Sequence, residues 1–240
     1  MWRIVSILIL LFANPAGAKW NNDAEQCFRL IAKGVDPDVR IGYCDRAIKS
    51  GELSGVNLGV TYYNRGIAYS DKGNLDQAIA DYDEAIRLDP TDVLAFVNRG
   101  ISYGMKGDYE HAMADFNAAI KMKPDEPNGY DNRCFLLALE GETARALQDC
   151  DRAIALAPNV PGHLESRGFA YLRGGDAEHA IQDYNAALRL DGKRSESLYG
   201  RGVAYLRTGK RSEGERDLAA ARALDQKVDE RMKKYGITPP

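Results

Sequence analysis

A 34-residue period constrains this 240-residue chain more than any other feature of its sequence. The phrase YYNRGIAY begins at Tyr62, and related phrases begin at Phe96, Tyr130, Leu164 and Leu198, each 34 residues after the last. A second phrase keeps the same period, with first residues Ala78, Ala112, Ala146, Ala180 and, more weakly, Gly214. Self-similarity at such a period is the signature of a fold made by stacking one small unit.

Each period is typical of two antiparallel helices. Small and apolar residues recur at helical spacing, and a glycine stands near the middle of every unit. Those glycines are Gly73, Gly107, Gly141, Gly175 and Gly209. Because one helix pair cannot bury its own apolar face, neighbouring pairs must stack. The spacing predicts five pairs, over 59–92, 93–126, 127–160, 161–194 and 195–228.

The units resemble the tetratricopeptide repeat. In the first unit the large residue, Gly, Tyr, Ala, aromatic and Pro of that pattern fall at Tyr62, Gly66, Tyr69, Ala78, Tyr82 and Pro90. The second unit repeats them at Phe96, Gly100, Tyr103, Ala112, Phe116 and Pro124. The resemblance implies an all-α fold, a right-handed α-solenoid of stacked antiparallel helix pairs. We expect about twelve helices and a C-terminal capping helix.

Both flanks of the repeats extend this prediction. Residues 19–58 contain a divergent sixth pair, Ala24–Lys33 and Asp38–Ser50, followed by a short insertion at Leu53–Asn57. Residues 229–240 form a cap and tail. There, the spacing of Val228, Met232 and Tyr235 predicts a helix that covers the last apolar face.

The N-terminal 18 residues have the three regions of a secretory signal peptide. Arg3 is followed by an apolar run, Ile4–Ala13, and then by the small residues Ala16, Gly17 and Ala18. The run is too short for a membrane-spanning helix, which needs about 20 apolar residues. We therefore expect cleavage after Ala18, no membrane insertion of the mature chain, and a periplasmic or secreted location.

Charge and motifs exclude several function classes. The mature chain would carry a net charge of −4 with the signs mixed, which disfavours nucleic acid as a partner. The histidines are His111, His163 and His179; two share one repeat position and are predicted to be solvated rather than catalytic. No phosphate-binding loop, nucleophile elbow or zinc pair is present in the sequence. We expect no enzyme, no cofactor and no metal.

Four cysteines fall in two level pairs. If the third repeat turns near residue 142, Cys134 and Cys150 stand at the same height, and Cys27 and Cys44 are likewise level across the first pair. In an oxidising compartment each pair could form a disulfide. Four buried thiols are the alternative.

Two charged rows accompany the repeat. One first-helix position holds Arg65, Arg99, Arg133, Arg167 and Arg201, and one second-helix position holds Asp81, Asp115, Asp149, Asp183 and Asp217. Each arginine precedes the aspartate of its own unit by 16 residues, and the aspartate precedes the next arginine by 18. Either spacing allows a ladder of structural ion pairs. Alternatively, the arginines could form an anion-binding stripe.

The resemblance also implies a concave groove, lined by first helices, that holds an extended peptide or a partner helix. The corresponding positions are Tyr63, Asn64, Ile67, Val97, Asn98, Ile101, Asp131, Asn132, Phe135, Phe169, Arg173, Tyr199 and Arg207. The asparagines could serve a peptide backbone as donors and acceptors, or they could simply solvate a helix. We expect Asn98 to act on binding and Arg99 on stability, although which row faces a ligand stays open.

The family's clamp for a C-terminal carboxylate requires Lys or Arg at positions held here by Tyr63, Val97, Asp131 and Glu165. That specificity is therefore not expected. The sequence predicts a non-enzymatic scaffold that binds a protein or peptide of the cell envelope. The alternative is a structural protein that self-associates, and the oligomeric state stays open.

Overall fold

The computed structural model describes residues 21–30 and 35–240. The predicted signal peptide, residues 1–18, lies outside the described residues. Within the described part the secondary structure consists of thirteen α-helices, and no strand occurs there. This confirms the predicted all-α fold of six helix pairs followed by a capping helix.

The helices belong to two compact units, which meet in sequence between Lys123 and Pro124. The described helices of the first unit are α1 (Asn22–Arg29), α2 (Pro37–Lys49), α3 (Gly55–Asp71), α4 (Leu75–Leu88), α5 (Val93–Lys106) and α6 (Tyr109–Met122). The second unit contains α7 (Pro127–Leu139), α8 (Thr143–Leu156), α9 (Pro161–Arg173), α10 (Ala177–Leu190), α11 (Ser195–Arg207), α12 (Arg211–Leu224) and α13 (Val228–Lys234). Within each unit every helix packs on the next one along the chain.

Helix ends follow local sequence signals. The carboxylate of Asp92 accepts hydrogen bonds from the backbone N–H groups of Leu94 and Ala95 and so caps α5. The same helix ends at Gly107, whose φ of 86° lies in the left-handed region. The start of α3 differs from the prediction, because the helix begins at Gly55 inside the expected insertion. Leu53, two residues before the start of this helix, is buried against α1 and α2.

The repeating unit depends on one close approach between its two helices. The ring of Tyr82 on α4 is fully buried against Gly66 on α3, where a Cβ would lie 2.7 Å from the ring. Gly100 and Phe116 repeat this contact in the next pair. A side chain at the glycine would push the helices apart, since interiors are packed without spare volume.

In two helix pairs a disulfide takes the place of this contact. The Sγ atoms of Cys134 and Cys150 are 1.91 Å apart and join α7 to α8, at the positions where other repeats have the glycine and the aromatic. Those of Cys27 and Cys44 are 2.07 Å apart and join α1 to α2. These are the two pairings that the sequence predicts.

The capping helix α13 ends in a sharp turn. Val228 and Met232 are fully buried, as the predicted cap requires. The backbone N–H of Ile237 donates to the carbonyl of Met232, and that of Gly236 donates to Lys233, which is the pattern of a Schellman motif. Gly236 has a φ of 71° and Ile237 is fully buried, so the last residues turn back onto the repeats.

Candidate functional site

The five arginines of the first-helix row lie against the five aspartates of the second-helix row, always within one hairpin. In each pair, Nε and Nη2 donate to the two carboxylate oxygens over 2.6–3.0 Å. Such bidentate pairs fix the geometry of the guanidinium plane. The row is therefore engaged in structure at every repeat, which leaves the alternative of an anion-binding stripe without support.

A second acceptor lies on the preceding helix pair for Arg65, Arg99, Arg167 and Arg201. Their Nη1 atoms donate to Asp45, Asp83, Asp151 and Asn185 over 2.7–2.8 Å. These acceptors were not predicted, although three of them keep a 16-residue spacing to the arginine that could have revealed them. Each such arginine thus ties three helices together.

The local electrostatics match this role. Burial lowers the pKa of the Arg99 guanidinium, but hydrogen bonds and charge from Asp115 and Asp83 outweigh it and raise the pKa overall. For the Asp115 carboxyl, burial instead raises the pKa, and the hydrogen bonds and charge of Arg99 partly oppose that rise. In the Arg99–Asp115 pair the carboxylate side is thus the side shielded from water.

The predicted groove positions of the first unit are buried in the structure. They are Tyr63, Asn64, Ile67, Val97, Asn98 and Ile101, each 4% exposed or less. The side-chain amide of Asn98 donates to the Tyr63 hydroxyl over 2.9 Å and so links two first helices. Burial and the charge of Asp92 raise the pKa of Tyr63, which keeps the phenol neutral.

The asparagine row does not form one continuous ladder. Asn132 donates to the carbonyl of Asn128 within its own helix, over 2.9 Å. The Nδ2 atom of Asn64 is buried and has no hydrogen-bond partner among the described residues. The expectation that Asn98 acts on binding alone is therefore corrected, because its amide also holds together two helices of the first unit.

The predicted groove arginines of the second unit cap other helices. Arg173 donates to the carbonyls of Leu139 and Ala138, over 3.0 and 3.4 Å, at the end of α7. Arg207 donates to the carbonyl of Leu172 over 2.9 Å, near the end of α9. Terminal carbonyls have no partner within their own helix, so these side chains satisfy them. This capping role was not predicted from the sequence.

An aromatic cluster occupies the first-helix face of the second unit. Phe135 on α7 and Phe169 on α9 have ring centroids 4.8 Å apart. The ring of Tyr235, which follows α13, stands edge-on to both, with centroids 5.1 Å from Phe135 and 6.2 Å from Phe169. Edge-on contacts are a favoured arrangement of aromatic rings. The chain's own C-terminal segment thus packs on a face that the sequence assigned to a ligand.

Tyr199 and Asp131 are the two remaining predicted groove positions of this unit. The Asp229 carboxylate near Tyr199 is held by Arg222 over 2.8 and 2.9 Å, and burial together with Asp229 raises the pKa of Tyr199 to about 12. Asp131 is partly buried on α7. Glu165, one residue of the expected clamp positions, is buried and paired with Arg194 over 2.8 Å.

The histidines occupy structural positions. His111 and His179 each lie 2.8 Å or less from the aspartate that begins their helix, and each stacks on a tyrosine of the preceding helix. His163 is buried, with Nδ1 3.3 Å from the carbonyl of Ala157.

Residues 21–30 and 35–240 contain no group of three or more His, Cys, Asp or Glu arranged to hold a metal ion. Among the described helices, none is both long and apolar enough to cross a membrane.

Solved structures with the same fold include a subunit assembly and a peptide-binding protein. A chain of the Cut9–Hcn1 hetero-tetramer of the APC/C superposes with a TM-score of 0.73 at 15% identity, over 86% of this chain and 40% of that one. YrrB, a TPR protein with an unusual peptide-binding site, gives 0.51 at 22% identity, over 80% and 97%. Yeast Tom70 gives 0.63 at 19% identity, over 88% and 44%. This chain thus spans less than half the length of two of these proteins, and the likeness shows the fold alone.

Family models agree with the repeat pattern. A search of curated protein sequences gave no match. Models described as the tetratricopeptide repeat match residues 59–92, 94–126 and 166–230, and the first of these coincides with the first predicted repeat. Together these segments cover more than half of the chain, and the chain therefore belongs to the tetratricopeptide-repeat family.

Proposed function

We propose that this chain is a non-enzymatic scaffold that binds a protein or peptide of the cell envelope on the face formed by its first helices. One observation carries the proposal: on the second unit, that face already accommodates a polypeptide segment, the stretch around Tyr235. The comparison with YrrB, which has a peptide-binding site, supports the same reading. Repeat folds commonly use such extended surfaces for binding.

The envelope location rests on two independent features. The first is the predicted signal peptide, residues 1–18. The second is the bonding distance within both cysteine pairs, since disulfides persist in oxidising compartments and are rare in the cytosol. Expression of the full sequence in a Gram-negative host should yield a periplasmic protein that begins at Lys19 and resists alkylation until it is reduced. Four alkylated thiols in the cytosolic fraction would contradict the envelope assignment.

Selection of displayed random peptides on the full chain tests the binding function. We expect recovered sequences to bind with a Kd of about 1 μM, which corresponds to a binding free energy of about −8.2 kcal/mol. Replacing Phe135 or Phe169 with Ala should weaken the binding of peptides to the second unit. Arg87→Ala, which breaks an exposed pair with Glu84, should leave their binding unchanged. Light scattering over a range of concentrations tests the alternative function, because a self-associating protein would grow in mass and a monomeric scaffold would not.

A further inference from the structure

We infer that the C-terminal segment is an internal ligand: Tyr235, Gly236 and Ile237 occupy a peptide site on the second unit. The partner is a peptide that displaces them and carries the same chemistry. That chemistry is an aromatic residue followed by a small and then an aliphatic residue, with a basic residue four positions before the aromatic. The inference rests on the proposed function and names the partner class of that site.

The aromatic position is set by two rings from different repeats. Phe135 and Phe169 hold equivalent positions, 34 residues apart, and present their rings together to Tyr235. The segment begins after the last repeat, yet its ring contacts the first helices of the third and fourth repeats. A cap that covered only the fifth repeat would not need to contact the helices of these earlier repeats. The contact therefore resembles binding of a peptide along successive first helices.

The next position accepts only a small residue. A Cβ added at Gly236 would lie 2.2 Å from Nη1 of Arg173, and the φ of 71° is itself unfavourable for any side chain. Arg173 has little freedom to move away, because it is bonded to the carbonyls that end α7. Ile237 follows and is fully buried, which sets the aliphatic position.

The basic position is set by a carboxylate on the repeats. Nη2 of Arg231, one helical turn before Tyr235, lies 3.0 Å from Oε1 of Glu196 on α11. Lys233 and Lys234 between them are exposed. A partner thus needs its basic and aromatic residues on one side of a short helix.

The segment is suited to displacement. Helix α13 has seven residues, and isolated helices of that length are not stable in water, so its order depends on docking. Beyond Ile237, the side chains of Thr238 and Pro240 are exposed. Release would therefore free α13 and the tail after it, which follow the last helix of the repeats.

The experiment uses the full chain and a fluorescent peptide with the sequence of residues 227–240, measured by anisotropy. Tyr235→Ala removes the ring that fills the site, and Gly236→Ala dislodges the segment without removing a ring. Both should bind the peptide at least tenfold more tightly than the wild type, because a tethered competitor acts at an effective concentration in the millimolar range. Adding Phe169→Ala should abolish that gain.

Three controls accompany it. Tyr109→Ala removes an exposed tyrosine from the first unit and should change nothing. Gly209→Ala places a side chain at a left-handed glycine with no atom within 4 Å, and should not increase binding. A peptide with Ala in place of the tyrosine should bind none of the proteins. Circular dichroism verifies that each variant is folded.

The outcomes separate the two proposals. If Tyr235→Ala and Gly236→Ala, both folded, bind the peptide no more tightly than the wild type, the internal-ligand inference is overturned. If display-selected peptides bind the wild type and both variants equally, the scaffold function stands and the internal ligand falls. If the tenfold gain is found but no foreign sequence binds the variants, the internal site stands and the scaffold function falls.

Discussion

Single residues at equivalent repeat positions have unequal neighbours in this protein. Arg65, Arg99 and Arg167 each bind a second carboxylate on the preceding pair, whereas Arg201 binds the amide oxygen of Asn185 there. The aspartate of the same hairpin is the more buried partner in each case. Its removal leaves a guanidinium without its bidentate acceptor, which should be the costly change.

Asp115→Ala should lower the free energy of unfolding by about 1.5–3 kcal/mol, the value of hydrogen bonds to a charged group. Urea denaturation measures the change. Glu84→Ala is the matched control, because its pair with Arg87 is solvent-exposed and contributes about 0–1 kcal/mol. Equal losses in the two variants would show that burial of the carboxylate does not matter.

Asn98→Ala should destabilise the protein by about 1–3 kcal/mol, since it leaves the buried Tyr63 hydroxyl without its donor. Asn64→Ala should cost less, because the described residues provide no partner for its Nδ2. In a Tyr63→Phe background the effect of Asn98→Ala should shrink, as a double-mutant cycle would detect. An undiminished effect would mean that the amide acts through another contact.

Helix pairs solve the problem of close packing in two ways. The first, second and fourth repeats use a glycine beneath an aromatic ring, as at Gly66 and Tyr82, and the third repeat uses the linked sulfurs of Cys134 and Cys150. Both solutions occupy the same two positions of the repeat. They should therefore be exchangeable.

The double substitution Cys134→Gly and Cys150→Tyr should give a folded protein. A reducing agent should lower the free energy of unfolding of this variant less than it lowers that of the wild type. The difference should be about 3 kcal/mol for a loop of this length in the chain-entropy model. Thermal denaturation with and without reductant measures the difference. Cys134→Ser with Cys150→Ser is the control that lacks both solutions, and it should be the least stable. If the variant with Gly and Tyr is no more stable than this control, the two packing solutions are not equivalent.

The sequence predicts the helix pairs well because each carries its own periodic signal. The thirteen described helices and their hairpin pairing agree with the spacing, which also places the cysteines in two level pairs. Other features depend on contacts between elements and have no periodic signal. These are the early start of α3 at Gly55, the second acceptors of the arginines, and the capping of α7 by Arg173.

Across the second unit as a whole, the period ends before the C-terminal segment, so nothing in the repeat indicates where that segment lies. Spacing predicts Val228 and Met232 as a cap, and both are buried. It does not predict that Tyr235 reaches Phe135 and Phe169, because this contact joins residues 100 and 66 positions apart in the sequence. Only the packed structure shows it.

Hydrogen exchange should report that docking directly. The amide of Ile237, bonded to the carbonyl of Met232, should be protected in the wild type and lose protection in Tyr235→Ala. Amides in the middle of α10 should be unchanged, which serves as an internal control. Retained protection at Ile237 would mean that the turn after α13 forms without its ring contact.

A docked terminus would give the second unit an affinity threshold that its contacts alone do not set. Every incoming sequence would compete with a segment that never diffuses away, so its apparent affinity would be reduced by the fraction of time the site is open. Weak, abundant sequences would fail this threshold, while a strong one would still succeed. The tail after Lys234 would thus set the lowest affinity, at a given concentration, with which a sequence can occupy the site.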